Sequence, residues 1–88
     1  MASYRIVLKP SVEKDLRSLP SSALRRVWDR LRALADAPHP QESVKLTGTE
    51  RLYRIRVGNY RIIYGVDNNA KLVTVHYVRH RREVYRGL

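Results

Sequence analysis

The sequence has no cysteine and no apolar run long enough to cross a membrane. The first absence excludes disulfides and cysteine-based zinc sites, and it fits a reducing cytoplasm. The start of the chain also lacks the apolar stretch of a signal peptide. Neither metal-ligand spacing nor a glycine-rich phosphate loop is present, so no metal or other cofactor is expected. The length of 88 residues and the lack of an internal repeat predict a single cytoplasmic domain that covers residues 1–88.

Acidic residues are also scarce, and the basic excess is uneven. Eight Asp and Glu stand against 18 Lys and Arg, which gives a net charge of +10, and the half from residue 45 onward carries most of it. Arginine dominates, and its planar fork suits phosphate. An anionic partner explains both the arginine preference and the asymmetry. The alternative is a solvated basic surface that keeps the protein soluble.

Hydrophobic periodicity predicts an α+β fold of order β-α-α-β-β-β, with a helical hairpin packed on one face of a mostly antiparallel twisted sheet. A first strand covers residues 4–9, and a short helix runs from Pro10 to a stop at Pro20. A second helix follows, with Ser21 or Ser22 as its cap and Trp28 on its apolar stripe. A loop covers about residues 41–51. The last three strands are predicted at residues 52–57, 60–66 and 72–78.

The Gly58-Asn59 pair predicts a two-residue hairpin turn. Arg56 then faces Arg61 across the hairpin, and Arg54 lies on the same face because side chains alternate along a strand. Three arginines on one small face indicate a phosphate-binding surface. The alternative is that the long side chains spread into water.

If Asn68-Asn69 forms the second turn, Arg61 also faces His76, while Val73, Val75 and Tyr77 point to the core. A histidine beside the arginines is a candidate acid or base. The alternative is an ordinary exposed strand histidine.

Residues 52–64 and 80–85, which include Leu-Tyr-Arg-Ile-Arg-Val-Gly-Asn-Tyr-Arg and His-Arg-Arg-Glu-Val-Tyr, resemble RelE toxins of the RelE/ParE toxin–antitoxin superfamily. The similarity in order and spacing extends over the whole chain. It implies a microbial-RNase fold and metal-independent cleavage of messenger RNA in the ribosomal A site, by attack of a ribose 2′-hydroxyl on the phosphodiester. It also implies an acidic RelB-like antitoxin that silences the toxin in a hetero-oligomer.

Position by position, the resemblance implies that Arg61 holds the phosphate and Arg81 stabilises the transition state or protonates the leaving oxygen. Tyr85 matches a tyrosine that orients a base, and Arg54 and Arg56 stand where other members carry lysine. Arg79 is an alternative to Arg81. The further substrate-binding candidates are Lys45, His76, Arg79 and Arg82.

One departure concerns the general base. A lysine at position 56 has that role in some members, but an arginine stays protonated at neutral pH. The alternatives are His76, His80, Tyr85 or water, or catalysis by electrostatics and positioning alone.

Two rival functions remain open on the sequence alone. A toxin of the ParE type has the same fold and poisons DNA gyrase by protein contact. A non-catalytic basic RNA-binding module would use the same arginines without cleaving anything.

Overall fold

The computed structural model describes residues 3–40, 43–46 and 52–80. The elements in chain order are β1 (Arg5–Leu8), α1 (Pro10–Arg17), α2 (Ser21–Asp36), β2 (Val44–Lys45), β3 (Leu52–Val57), β4 (Tyr60–Asp67) and β5 (Leu72–His80). The predicted α+β class and element order are confirmed. The structure adds β2, a two-residue strand inside the segment predicted as loop.

The five strands form one mixed sheet in the order β1-β5-β4-β3-β2. β1 pairs with residues 72–75 of β5 in parallel, and the other neighbouring strands pair antiparallel. A parallel pair needs a crossover connection, which here includes the two helices and the middle strands. Because β1 ends at Leu8, the second half of β5 has no strand on that side, and α1 packs against β5 instead.

A proline lies at the start of each helix. Pro10 stands in the first turn of α1, where the missing N–H of proline costs no hydrogen bond. The prediction that Ser21 or Ser22 caps α2 is wrong. The carbonyl of Pro20 accepts the first helical hydrogen bond, from the N–H of Leu24 at 2.9 Å, so Pro20 is the cap and both serines are already inside the helix.

The core lies between the helices and one face of the sheet. The fully buried side chains of this core share an apolar character and come from α1, α2, β3, β4 and β5. They include Val12, Val27, Leu31, Ile55, Ile62, Tyr64, Val73 and Val75. Trp28 is half-buried and packs against them, as its place on the apolar stripe predicts. The opposite face of the sheet is called the outer face below.

The first hairpin has the predicted register. Val57 pairs with Tyr60, Arg56 with Arg61 and Tyr53 with Tyr64. Gly58 has φ of +59°, a conformation that glycine adopts without steric cost. The two-residue turn therefore fixes which residues of β3 and β4 share a face.

The second hairpin differs from the prediction. Asp67 pairs with Leu72, so the turn spans four residues, and the Asp67 carboxylate accepts hydrogen bonds from the N–H groups of Asn69 and Ala70, both at 3.0 Å. A bulge then inserts His76 opposite the Ile63–Tyr64 step.

This longer turn and the bulge change the partners of β4. Arg61 pairs with Arg79, not with His76. The expectation that Tyr77 points to the core is wrong as well, because the extra residue in the bulge reverses the alternation. Val78 is buried in the core and Tyr77 is 40% exposed.

The buried Tyr64 supports a first test of this packing. Its hydroxyl donates to the Pro38 carbonyl at 2.8 Å, which ties the end of α2 to the sheet. Replacing Tyr64 with phenylalanine should lower the free energy of unfolding by about 1–3 kcal/mol, because a buried carbonyl loses its donor. Urea denaturation measures the loss. Tyr77→Phe, on an exposed side chain, is the matched control and should change stability little. Equal stabilities of the two variants would contradict this role of Tyr64.

Candidate functional site

Three arginines lie side by side across the outer face. Arg56 in β3 pairs with Arg61 in β4, and Arg61 pairs with Arg79 in β5. Direct partners in an antiparallel sheet have Cα atoms about 4.5–5.5 Å apart and share a face. These residues are called the arginine row. The sequence predicted the first pair, and the structure adds Arg79.

A second row lies next to the arginine row on the same face. Arg54 pairs with Ile63, and Ile63 pairs with Tyr77. Along each strand, a member of this second row lies two residues from a member of the arginine row, so the Cα atoms of the two are about 6.6–7 Å apart. Ile63 is buried, Arg54 is half-buried and Tyr77 is exposed. The outer face therefore combines several guanidinium groups with one exposed aromatic ring.

Exposure differs along the arginine row itself. Arg56 is exposed at one end, whereas Arg61 in the middle is only 5% exposed. A guanidinium held this firmly among its neighbours has few conformations, which favours a fixed binding geometry. The arginine row thus combines a solvent-exposed guanidinium at Arg56 with a buried one at Arg61.

Arg79 is held from two sides. Its Nε lies 3.5 Å from Oδ2 of Asp15 in α1, and its guanidinium carbon lies 4.9 Å from the centre of the Tyr77 ring. Both members of the ion pair are partly buried, so solvent screens the pair less than it would at the surface. Asp15 reaches Arg79 because α1 packs against the half of β5 that has no strand beside it.

Sequence reasoning missed Asp15 and Tyr77. Asp15 follows Val12 by three residues and precedes Leu19 by four, a spacing that puts it beside the apolar stripe of α1. An acidic residue on the core side of a helix in a basic protein is a usable signal. The exposure of Tyr77 gave no such signal, since it depends on the bulge.

His76 does not join the arginine row. It lies in the bulge, three residues before Arg79 along β5, which is about 10 Å. Burial, and secondly the positive charge of Lys9, lower the pKa of His76 below its usual value of 6.5. The structure therefore favours the neutral form, but it separates this imidazole from the residue that it was predicted to face.

The lowered pKa has a consequence for stability. As the pH falls below 6.5, His76 takes up a proton more readily in the unfolded chain than in the folded chain. Protonation therefore favours unfolding, and the free energy of unfolding decreases between pH 6.5 and the lower pKa of His76 in the folded protein. His76→Gln should remove that part of the pH dependence. Urea denaturation of both proteins from pH 5 to pH 8 measures it. Parallel stability curves would show that the shift is absent.

The remaining predicted site residues are separated or lie outside the described ranges. Lys45 pairs with Tyr53, and Tyr53 packs on the core. Lys45 therefore lies on the helix side of the sheet and not on the outer face. Arg81, Arg82 and Tyr85 lie outside the described residues. Their convergence with the arginine row stays a prediction.

Within the described residues, no cluster of three histidine, aspartate or glutamate side chains could hold a metal ion. No helix in the same ranges is long and apolar enough to span a membrane. The chemistry that the outer face offers is the binding of anions by guanidinium forks, next to an aromatic ring.

The fold and the outer face define a class of small α+β proteins in which two helices cover one side of a mixed sheet and arginines line the other. Within this class, the chain belongs to the ParE toxin family of type II toxin–antitoxin systems (parDE), whose model matches residues 6–85.

Individual relatives agree with this family. The curated protein RelE1 of Methanocaldococcus jannaschii is 27% identical over 87 residues, which cover 96% of this chain and 97% of that protein. The toxin in the archaeal RelE–RelB complex from Pyrococcus horikoshii OT3 is 36% identical, with a TM-score of 0.81 over 90% of this chain and 96% of that one. The toxin–antitoxin complex RelBE2 from Mycobacterium tuberculosis gives 25% identity and a TM-score of 0.80, covering 90% of this chain and 99% of its counterpart.

Proposed function

We propose that this protein is a ribosome-dependent endoribonuclease that cuts messenger RNA in the ribosomal A site and thereby inhibits translation in the cytoplasm. The observation that carries the proposal is the arginine row, Arg56-Arg61-Arg79, with Arg54 beside it. Like charges directly opposite one another destabilise a sheet. An anionic ligand bound along the row would offset this repulsion, which supports a site for phosphate.

The proposed reaction needs groups that bind and polarise a phosphodiester and an acceptor for one proton. That proton passes from the ribose 2′-hydroxyl to water as the 2′-oxygen attacks the adjacent phosphorus. The bond to the 5′-oxygen of the next nucleotide breaks, that oxygen takes up a proton, and a 2′,3′-cyclic phosphate and a 5′-hydroxyl result. Arg61 holds the phosphate and, together with Arg56 and Arg54, stabilises the charge that develops on its oxygens. The resemblance to RelE toxins adds Arg81 at the leaving oxygen and Tyr85 at a neighbouring base.

The other candidates have supporting roles in this proposal. Arg79 is a substrate-binding residue at the end of the row, fixed by Asp15. Lys45, on the helix side of the sheet, and Arg82 contribute through their positive charge, which adds long-range attraction to the RNA backbone. His76 contributes through the bulge that it forms rather than as the acid or base.

An antitoxin is the expected protein partner. Structures similar to this one are complexes of RelE toxins with RelB antitoxins. We infer that this chain is silenced by an acidic RelB-like antitoxin in a hetero-oligomer. The excess of positive charge on this protein favours fast association with such a partner.

Poisoning of DNA gyrase is the second candidate function, because the matching family model is that of ParE toxins. The two functions make different use of the arginine row, which contacts phosphate in the first and protein in the second.

An experiment on translating ribosomes separates them. Purified protein is added to a reconstituted translation system, and the 5′ ends of the cut messenger RNA are mapped to the codon in the A site. A parallel reaction contains gyrase and supercoiled DNA. A-site cuts without gyrase-linked DNA breaks support the nuclease. DNA breaks without A-site cuts would reverse the assignment, and neither product would favour a non-catalytic RNA-binding module.

A further inference from the structure

We propose that Tyr77 is a base-stacking residue that holds an unpaired nucleobase of single-stranded RNA next to the arginine row. This inference rests on the proposed RNA-binding function and deepens it by naming a second substrate contact on the outer face. The site comprises the Tyr77 ring, the Arg79 guanidinium and the Asp15 carboxylate that fixes it.

The bulge is what brings Tyr77 to this position. Strict alternation after Val73 and Val75 would send Tyr77 into the core, and His76 as an extra residue sends it outward instead. Bulges of this kind redirect side chains and are frequent beside functional sites. The bulge interrupts the hydrogen-bond ladder between β4 and β5, and it places an exposed tyrosine on the same face as the arginines.

The other described tyrosines of the sheet have different surroundings. Tyr64 is fully buried with its hydroxyl bonded to Pro38, Tyr53 stacks on Tyr64 with ring centres 5.8 Å apart, and Tyr60 contacts His80 edge-on. Tyr77 instead is 40% exposed, so part of its side chain is accessible to a ligand.

The position of Tyr77 is suited to an RNA strand. Arg79 lies two residues further along β5 and on the same face, so a phosphate bound to the arginine row is close to a base lying on the ring. The Arg79 guanidinium already contacts the ring with its carbon 4.9 Å from the centre, and a stacked base extends this cation–π arrangement. An acidic peptide would use the guanidinium groups but has no need of the aromatic face.

Asp15 has a positioning role in this site. The carboxylate at 3.5 Å from Nε keeps Arg79 near Tyr77 and limits the conformations of a long side chain that would otherwise be mobile. Stacking is tolerant of sequence because every base has a π-face. The substrate class is therefore single-stranded RNA with splayed bases, without preference for one base at this position.

The test compares RNA with and without bases. The full chain is titrated into a dye-labelled oligoadenylate and into an abasic ribose-phosphate oligomer of equal length, and binding is followed by fluorescence anisotropy at low salt, where phosphate contacts are strong. Tyr77→Ala should weaken binding of oligoadenylate by roughly 5- to 100-fold and leave the abasic oligomer unchanged. Tyr77→Phe should keep the affinity for both, whereas Tyr77→Leu, similar in apolar character but without a ring, should behave like the alanine variant.

A second measurement tests the contact directly. In Tyr77→Trp, oligoadenylate should quench the indole emission and the abasic oligomer should not, with Trp28 contributing the same background in both titrations. Equal losses of affinity for both oligomers, or no loss in Tyr77→Ala, would overturn the proposal. A loss confined to binding of the antitoxin would assign Tyr77 to the protein interface instead. These titrations need neither a ribosome nor cleavage. A failed A-site cleavage assay would therefore contradict the proposed function without deciding whether Tyr77 binds a base.

Discussion

Replacing Arg61 with alanine is expected to lower the rate of A-site messenger RNA cleavage by about 10²–10³-fold, the loss seen when one preorganised donor to a developing oxyanion is removed. The reason is its position. Arg61 is the middle of the arginine row, with Arg56 on one side and Arg79 on the other, and it is the most buried of the three. A donor held in place in a partly dry site stabilises transition-state charge more than a mobile one in water does. The measurement is the single-turnover rate on programmed ribosomes.

Matched variants separate catalysis from charge and folding. Arg61→Lys keeps the charge and loses the fork, so it should recover only part of the rate. Arg25→Ala removes an exposed arginine from α2, away from the outer face, and should leave the rate nearly unchanged. Arg56→Ala, at an exposed position, should lower the rate without loss of stability. Full activity of both Arg61→Ala and Arg56→Ala would leave the arginine row without a catalytic role.

The first hairpin shows how much of this site the sequence determines locally. A two-residue Gly58-Asn59 turn permits one register, and that register places Arg54, Arg56 and Arg61 on one face by alternation alone. The apolar side chains on the other face then have to lie under the helices. Local turn chemistry and hydrophobic patterning agree here, and the prediction was confirmed.

The second hairpin shows where the same reasoning fails. Asp67 accepts hydrogen bonds from two backbone N–H groups and holds a four-residue turn, which closes with Lys71 at φ of +57°. The bulge at His76 then restores the inward direction of Val78. An aspartate at the start of a turn is a local signal for such hydrogen bonds. The bulge has no local signal in the sequence, because it depends on how the side chains of β5 pack against β4 and the helices, which are distant along the chain.

Long-range packing also explains why the Asp15–Arg79 pair was missed. The two residues are 64 positions apart, and they meet because β1 pairs in parallel with the first half of β5 and leaves the second half to α1. Sequence periodicity identified both elements but gave no information about which end of β5 lies beside α1. The same packing fixes the contact between Arg79 and the Tyr77 ring, since Arg79 makes it while paired with Asp15, whereas the bulge sets the outward direction of Tyr77.

The outer face has strong anion-binding groups but few groups that can remove a proton. Among the described residues, His76 lies about 10 Å from Arg79 along β5, and His80 pairs with Tyr60 on the helix side of the sheet. The Asp15 carboxylate is already paired with Arg79. The arginines stay protonated at neutral pH. A positioned general base contributes about 10²–10⁴-fold to such reactions. The described part of the site therefore stabilises charge well and activates the 2′-hydroxyl poorly.

Cleavage of free RNA is accordingly expected to be slower than cleavage on the ribosome by at least about 10³-fold. On the ribosome, the A site can hold the 2′-oxygen in line with the phosphorus, and such positioning supplies a large part of a barrier reduction that this small protein cannot supply alone. Single-turnover rates on the same messenger RNA, free and in programmed ribosomes, measure the ratio. The Arg61→Ala protein on ribosomes is the control, because it keeps the positioning and loses the charge stabilisation. Comparable rates on free and ribosome-bound RNA would show that this chain contains a complete active site, with a proton acceptor beyond those that the outer face presents.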